Sequence, residues 1–221
     1  MEFLTPPFII AILLALSWHE AAHALIAYRL GDPTAKYEGR LTLNPIAHLD
    51  PLGTLMFLFV GFGWGKPVPV NPRYFKHYKR DTALTALAGP VSNLILAFVA
   101  FILLAFFFPA ALSGSVDSLV HPVSGGMAWR KFLVEVLANS LFLNLGLMAF
   151  NLLPIAPLDG SKIIAPFIPA GFDEMYERFL RQGPFILLFL LVAERAFNFP
   201  FLIYWIEGIM NGVLKIMGIF V

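Results

Sequence analysis

The sequence predicts an all-α integral membrane protein, a polytopic helical bundle with a short re-entrant or β-hairpin-like segment between its first two spans. Three observations lead there. The 221 residues are 59% hydrophobic and only 13% charged, with a mean hydropathy of +0.78, whereas soluble domains carry about 25% charged residues. Several apolar stretches are long enough to cross roughly 30 Å of hydrocarbon. Basic residues gather in connectors that fall on one side of the resulting spans. The chain has no cysteine, so disulfides and thiolate metal sites are excluded and any metal needs His, Asp or Glu. No basic-aromatic stripe suggests nucleic acid as a partner; the partner implied by composition is the lipid bilayer.

The whole chain, 1–221, reads as one membrane domain. The first span covers about residues 6–28, with Pro6 and Pro7 suited to a helix start and with its polar residues Ser17, His19, Glu20 and His23 in the C-terminal half. Met1-Glu2-Phe3 lacks a positive leader, so this helix is expected to stay in the mature protein. A mixed segment follows, punctuated by Asn44-Pro45 and Asp50-Pro51. Residues 52–64 are apolar but too short to span, which predicts the re-entrant segment. Val68-Pro69-Val70 looks extended, and period-two patterning over 36–43 and 66–70 suggests strand edges able to pair with a bound peptide. A second span is predicted at 82–109, interrupted by Gly89-Pro90, and a third at 132–153, with a polar connector over 110–131 between them. An amphipathic stretch then leads into an apolar region from Pro184 that Glu194-Arg195 and Pro200 split, read as a fourth span at 184–205 with 206–221 as an optional further membrane segment, or as two shorter pieces. Glu194 and Arg195 read as a snorkelling or paired charge.

Orientation follows from charge. With a non-spanning hairpin, the connectors holding Arg29, Lys36, Arg40, Lys66, Arg73, Lys76, Lys79, Arg80, Lys162, Arg178 and Arg181 share one side, against Arg130 and Lys131 on the other. That predicts a multi-pass protein of the cell membrane with its polar helix ends toward the cytoplasm.

His19 and His23 stand four residues apart, about 40° around a helix axis and one turn along it. Two imidazoles so placed can chelate one zinc ion, and the adjacent Glu20 can reach a water beside it as general base. Two histidines and a carboxylate are costly in hydrocarbon unless they share a partner or a wet cavity. A third ligand is needed. The metzincin position is filled by Arg29, with Ile26 where that motif has glycine. Asp159, in the Pro157-Leu158-Asp159-Gly160 turn after the third span, stands at the same predicted depth as His23, and Gly160 permits close backbone approach.

In His19-Glu20-Ala21-Ala22-His23, Gly89-Pro90-Val91-Ser92-Asn93 and Asn151-Leu152-Leu153-Pro154-Ile155-Ala156-Pro157-Leu158-Asp159-Gly160, the chain resembles the site-2 protease family of intramembrane zinc metalloproteases. The resemblance implies a three-helix catalytic core, one zinc ion per chain on His19, His23 and Asp159, and Glu20 as the water-activating base. It further implies substrate binding or oxyanion support from Asn151, a site-facing polar residue in Asn93, and transmembrane protein substrates. Asn144 lies seven residues before Asn151 on the same helical face, and either lines the site or bonds a neighbouring helix. The chain lacks the PDZ-like insertion and nucleotide-binding tail of larger members, and resembles a compact core. His48 reads as a loop histidine capping the hairpin rather than a gate or second metal ligand; His77 and His121 read as solvated. The competing function is a metal-ion or proton transporter, in which the same His, Glu and Asp groups would form a relay.

Overall fold

The computed structural model describes residues 4–60, 63–112, 128–197 and 200–218. The chain is 77% helical, and among the described residues no β-ladder forms; extended pairing is limited to one antiparallel bridge, Leu49 with Gly65. Among the described residues nine α-helices follow in chain order: α1 (Pro6–Arg29), α2 (Thr34–Tyr37), α3 (Pro51–Val60), α4 (Tyr78–Phe107), α5 (Pro109–Leu112), α6 (Ala128–Asn151), α7 (Asp159–Ile163), α8 (Asp173–Phe197) and α9 (Phe201–Ile216). Helices α1, α4 and α6 are long and apolar enough to cross a membrane, and the bent pair α8 and α9 makes a fourth crossing if counted as one span. Residues 113–127 of the predicted connector, His121 among them, lie outside the described residues.

The chain divides into two compact units, one of Met1–Ala15, Asn93–Phe150 and Leu188–Val221, the other of Leu16–Ser92 and Asn151–Leu187. The first packs on small residues. Ala11, Ala15, Ala97, Ala100, Ala138 and Ala149 are buried together with Leu104, Leu141 and Leu145. Lipid supplies no hydrophobic drive between helices, so close approach of small side chains and polar ties does that work. The ties are present. Asn93 Nδ2 donates to Asn144 Oδ1 at 2.7 Å and to the Ala15 carbonyl at 3.2 Å, and Trp205 Nε1 donates to the Ala149 carbonyl at 2.8 Å. Large apolar side chains such as Phe106, Phe107, Ile95 and Ile102 point outward, as lipid-facing residues should.

The second unit holds the loops and the polar residues. Asp50 caps α3, its Oδ1 accepting the Gly53 N–H at 2.7 Å, with Pro51 pre-set at the first helical position. Ten residues of helix rise only about 15 Å, half a bilayer. The chain then comes back to where α3 began: Lys66 N–H donates to the His48 carbonyl at 2.8 Å, and a Cβ on Gly53 would sit 2.1 Å from the Trp64 carbonyl oxygen. Among its described residues the segment between the first two spans is thus a short helix whose chain meets its own start again at the Leu49–Gly65 bridge, rather than a β-hairpin.

Three boundaries differ from expectation. Helix α4 begins at Tyr78 and continues through Gly89-Pro90 without a break; Ser92 Oγ donates to the Gly89 carbonyl at 2.7 Å, the kind of local repair that lets proline persist in membrane helices. The amphipathic 173–181 stretch and the apolar stretch after Pro184 form a single helix, α8, which ends at Phe197, and α9 begins at Phe201, so the 184–205 stretch falls on two helices. Pro200, which cannot continue a hydrogen-bonded turn, stands at the start of α9. Lys36 lies in helix α2, so the expected strand edge over 36–43 does not form, and 66–70 lies outside any helix or strand.

Candidate active site

The site is assembled in the second unit from α1, α4 and the α6–α7 turn. Along α1 the four-residue spacing puts His19 and His23 on one face, with rings 4.6 Å apart and nearly perpendicular. Asp159 is brought to them from 140 residues away by a tight turn. Ile155 N–H donates to the Leu153 carbonyl at 2.8 Å, and Leu158 N–H to the Ile155 carbonyl at 3.0 Å. Gly160 makes the turn possible, since a Cβ there would lie 2.4 Å from the carbonyl oxygens of both Leu152 and Leu153.

Three ligand-type atoms converge. His19 Nε2 is 3.0 Å from His23 Nε2, and Asp159 Oδ2 is 3.1 and 3.2 Å from them respectively. All three residues are buried. His23 Nδ1 lies 2.7 Å from the Thr85 carbonyl of α4. A carbonyl oxygen only accepts, so Nδ1 carries a proton and Nε2 is the nitrogen turned to the cluster. It faces a second imidazole nitrogen and a carboxylate oxygen, an arrangement able to hold a cation. Asp159 lies outside the spanning helices. Burial opposes its charge, but the imidazoles of His23 and His19 outweigh burial and hold its carboxyl below the ordinary carboxylate range, so it is an anion at neutral pH.

The residues fit zinc. Ligand atoms about 2.0–2.1 Å from one ion at tetrahedral angles stand about 3.3 Å apart, close to the separations here. Two imidazoles and one carboxylate form a donor set that leaves a fourth position open, as catalytic sites require.

Three contacts around the cluster escaped sequence reasoning. Gly89 reads in the sequence as a helix breaker and as the start of a segment resembling the family, yet a Cβ on it would lie 2.4 Å from His23 Nε2 and 2.6 Å from His19 Nε2; α4 touches the imidazoles through a bare Cα. The Thr85 carbonyl fixes the His23 ring, the outer-shell role such partners play in metal sites. Glu20 is half-buried, and its Oε2 accepts the Val68 N–H at 2.9 Å. Helical spacing could not reveal these contacts, although a glycine next to proline inside an apolar helix is a signal of close approach.

The sequence profile described as peptidase family M50 matches residues 7–192. The chain belongs to the M50 peptidases, the site-2 protease family. It is similar to a Bacillus subtilis protein named as a zinc metalloprotease, YwhC, with 43% identity over 86% of this chain and 82% of that one. It is also similar to the Mycobacterium tuberculosis protein Rip2, 31% identical over 94% and 72% of the two chains, and to MJ0611 of Methanocaldococcus jannaschii, 30% identical over 72% and 71%. Both of these carry the same zinc metalloprotease name. No solved structure matches. As an M50 member the chain is a multi-pass membrane metallopeptidase.

The remaining expected residues of this M50 chain fall as follows. Asn151 closes α6 in the unit that holds the three ligand-type residues, and is half-buried. Asn93 and Asn144, both fully buried, bond one another, and Asn144 Nδ2 also donates to the Ser140 carbonyl at 2.7 Å. His48 is buried, its Nε2 2.8 Å from the Thr42 carbonyl, a partner that suits a hairpin cap. His77 is exposed, its N–H donating to Asp81 Oδ2 at 3.0 Å where α4 begins.

Proposed function

We propose that this chain is an intramembrane zinc endopeptidase that hydrolyses peptide bonds within or beside transmembrane segments of protein substrates, as in regulated intramembrane proteolysis. The observation that carries the reading is the convergence of His19, His23 and Asp159 on one small volume, with Glu20 next to the first of them. The name shared by the relatives, zinc metalloprotease, supports zinc as the metal. One ion per chain would be held by those three residues. Bound there, it would acidify a water molecule and polarise the scissile carbonyl.

The protein's own groups supply the rest. Glu20 takes a proton from the attacking water and returns it to the departing amine nitrogen. Its Oε2 is engaged by Val68, which leaves Oε1 to act. Asn151 offers an amide N–H to the developing oxyanion. The Thr85 carbonyl keeps the His23 ring in register. A helical substrate must unwind locally, and the freed backbone needs partners in a low-dielectric setting. Within 66–70 the Lys66 and Val68 N–H groups are engaged and Pro67 and Pro69 have none, so Val70 is the residue whose N–H is offered to it. Pro67 and Pro69 suit an edge that must resist pairing with itself. The basic connectors support placing the site toward the cytoplasm. A transporter would want polar groups along the membrane depth, whereas the described residues form one metal-ligating group.

The test compares zinc content and cleavage of a model transmembrane substrate by purified wild type and Glu20→Gln in detergent. One zinc per chain in both, with turnover lost by about 10²-fold or more in the variant, is expected. Equal turnover by the two proteins would refute Glu20 as the base, and absence of zinc from both would refute the mechanism.

A further inference from the structure

Arg40 is a charged side chain that the fold buries, with 5% of it exposed, and its partners are main-chain carbonyls. Its Nη2 donates to the Lys66 carbonyl at 2.5 Å and to the Pro67 carbonyl at 3.3 Å, while its Nε is buried without a partner. Withdrawing a guanidinium from water is costly even when paired, and an orphaned buried donor in a native fold calls for an explanation. Local structure directs the chain here. Gly39, at a φ of 68°, turns the backbone out of α2 in the left-handed region that favours glycine, and Arg40 N–H closes that turn on the Ala35 carbonyl at 2.8 Å.

The explanation lies in what the Pro67 carbonyl is attached to. The Pro67 C=O and the Val68 N–H belong to one peptide group. Arg40 donates to its oxygen and its N–H donates to Glu20 Oε2 at 2.9 Å. A cation and a carboxylate are thus joined end to end through a single planar amide. The guanidinium polarises that amide and strengthens its N–H as a donor, as hydrogen-bond chains do at low dielectric. Because the peptide plane is rigid, fixing its oxygen also fixes the direction from which the N–H meets Glu20.

We propose that Arg40 is a positioning residue for Glu20: through the Pro67–Val68 peptide it holds the Glu20 carboxylate in the orientation that proton transfer requires. The proposal rests on Glu20 being the base, and adds to that reading a residue twenty positions along the chain that touches neither substrate nor metal ligand. A general base works only within hydrogen-bond reach of its proton, and a misplacement of about 1 Å can cost on the order of 10²-fold.

The sequence provides a clean probe. Prolines at 67 and 69 lack N–H groups, so a fragment spanning 67–69 carries one exchanging amide, that of Val68. Hydrogen exchange at this amide would be followed by mass spectrometry in wild type, Arg40→Met, Arg40→Lys and Glu20→Ala. In parallel, zinc content, kcat and KM would be measured for the two Arg40 variants, for Val68→Pro and for the Arg40→Met/Val68→Pro double variant. Val68 exchange should quicken about 10-fold or more in Arg40→Met and in Glu20→Ala, with Arg40→Lys between wild type and Arg40→Met. In Arg40→Met, kcat should fall about 10- to 100-fold, with KM within about threefold and zinc content unchanged. Added to Val68→Pro, Arg40→Met should cost less than about threefold more, because both act through one bond. Unchanged Val68 exchange in the Arg40 variants, or losses in kcat that multiply in the double variant, would overturn the proposal. Should Arg40→Met fail to fold, Arg40→Lys keeps the buried cation and is judged by the same readouts. A wild type that folds but cleaves nothing would count against the peptidase reading alone, since the exchange measurements still decide the coupling.

Discussion

Gly89→Ala places a single methyl group where α4 meets the two imidazoles. The new Cβ would stand 2.4 Å from His23 Nε2, 2.5 Å from His19 Cε1 and 2.6 Å from His19 Nε2, against a comfortable separation of about 3.5 Å. Relief requires the rings or the helix to move by about 1 Å, and a zinc site tolerates roughly 0.2 Å in its ligand distances. The shift also strains the His23 bond to the Thr85 carbonyl, because Thr85 sits one helical turn before Gly89. Loss of such an outer-shell partner alone costs about 10- to 100-fold in metal affinity, so displacement of two ligands should cost at least about 100-fold. The backbone gives no reason to expect unfolding, since alanine in a helix interior is favoured over glycine by about 1 kcal/mol. The predicted signature is therefore selective: helical content and thermal stability of the apoprotein at or above wild type, with zinc affinity and cleavage both lost. Chelator competition would measure the affinity, and circular dichroism the fold. Wild-type zinc affinity with turnover within about threefold would refute the close-packing argument.

Asn93→Leu removes the donor to Asn144 Oδ1 and the Ala15 carbonyl; intramembrane hydrogen bonds average about 0.6 kcal/mol and reach about 1.7, so destabilisation of about 1–2 kcal/mol in a detergent unfolding titration is expected, with zinc content unchanged. A variant of undiminished stability and raised KM would instead make Asn93 a substrate ligand. For the 66–70 segment, a photo-crosslinking residue at Val70 should capture a transmembrane substrate bound to Glu20→Gln, and the adduct should be competed away by unlabelled substrate. Crosslinking that is equally strong from Ile102 on α4, or absent from Val70, would refute the strand-edge reading.

What the sequence disclosed and what it hid divide along a physical line. The His19–His23 pair was legible because ligand spacing and helical period coincide, so one segment states its own geometry. Asp159 was legible because a carboxylate at a spanning helix's end needs a partner, and charge asymmetry put the two helix ends at one depth. The helical class followed from hydropathy, since backbone polar groups in lipid must be satisfied within a helix or a closed barrel. The breaks were misread where proline was taken as decisive. Pro90 and Pro184 lie inside α4 and α8, while Pro200 does mark a helix start; a local rule cannot tell these cases apart, because neighbouring groups decide whether the freed carbonyl is satisfied.

The contacts that escaped are those in which the backbone does the chemistry. Val68 reaches Glu20 across 48 residues and Thr85 reaches His23 across 62, and in each the partner group is a peptide N–H or C=O that every residue type carries. Side-chain identity says nothing about such a bond. What it does record is the space the bond demands: Gly89 and Gly160 stand where a Cβ would strike an imidazole nitrogen or a carbonyl oxygen, and Pro67 and Pro69 flank the one amide committed to Glu20. Glycine and proline around a metal motif in membrane helices therefore mark where main chain closes on the reacting groups. Substitutions at those positions should be more damaging to catalysis than their distance along the sequence from His19-Glu20-Ala21-Ala22-His23 suggests.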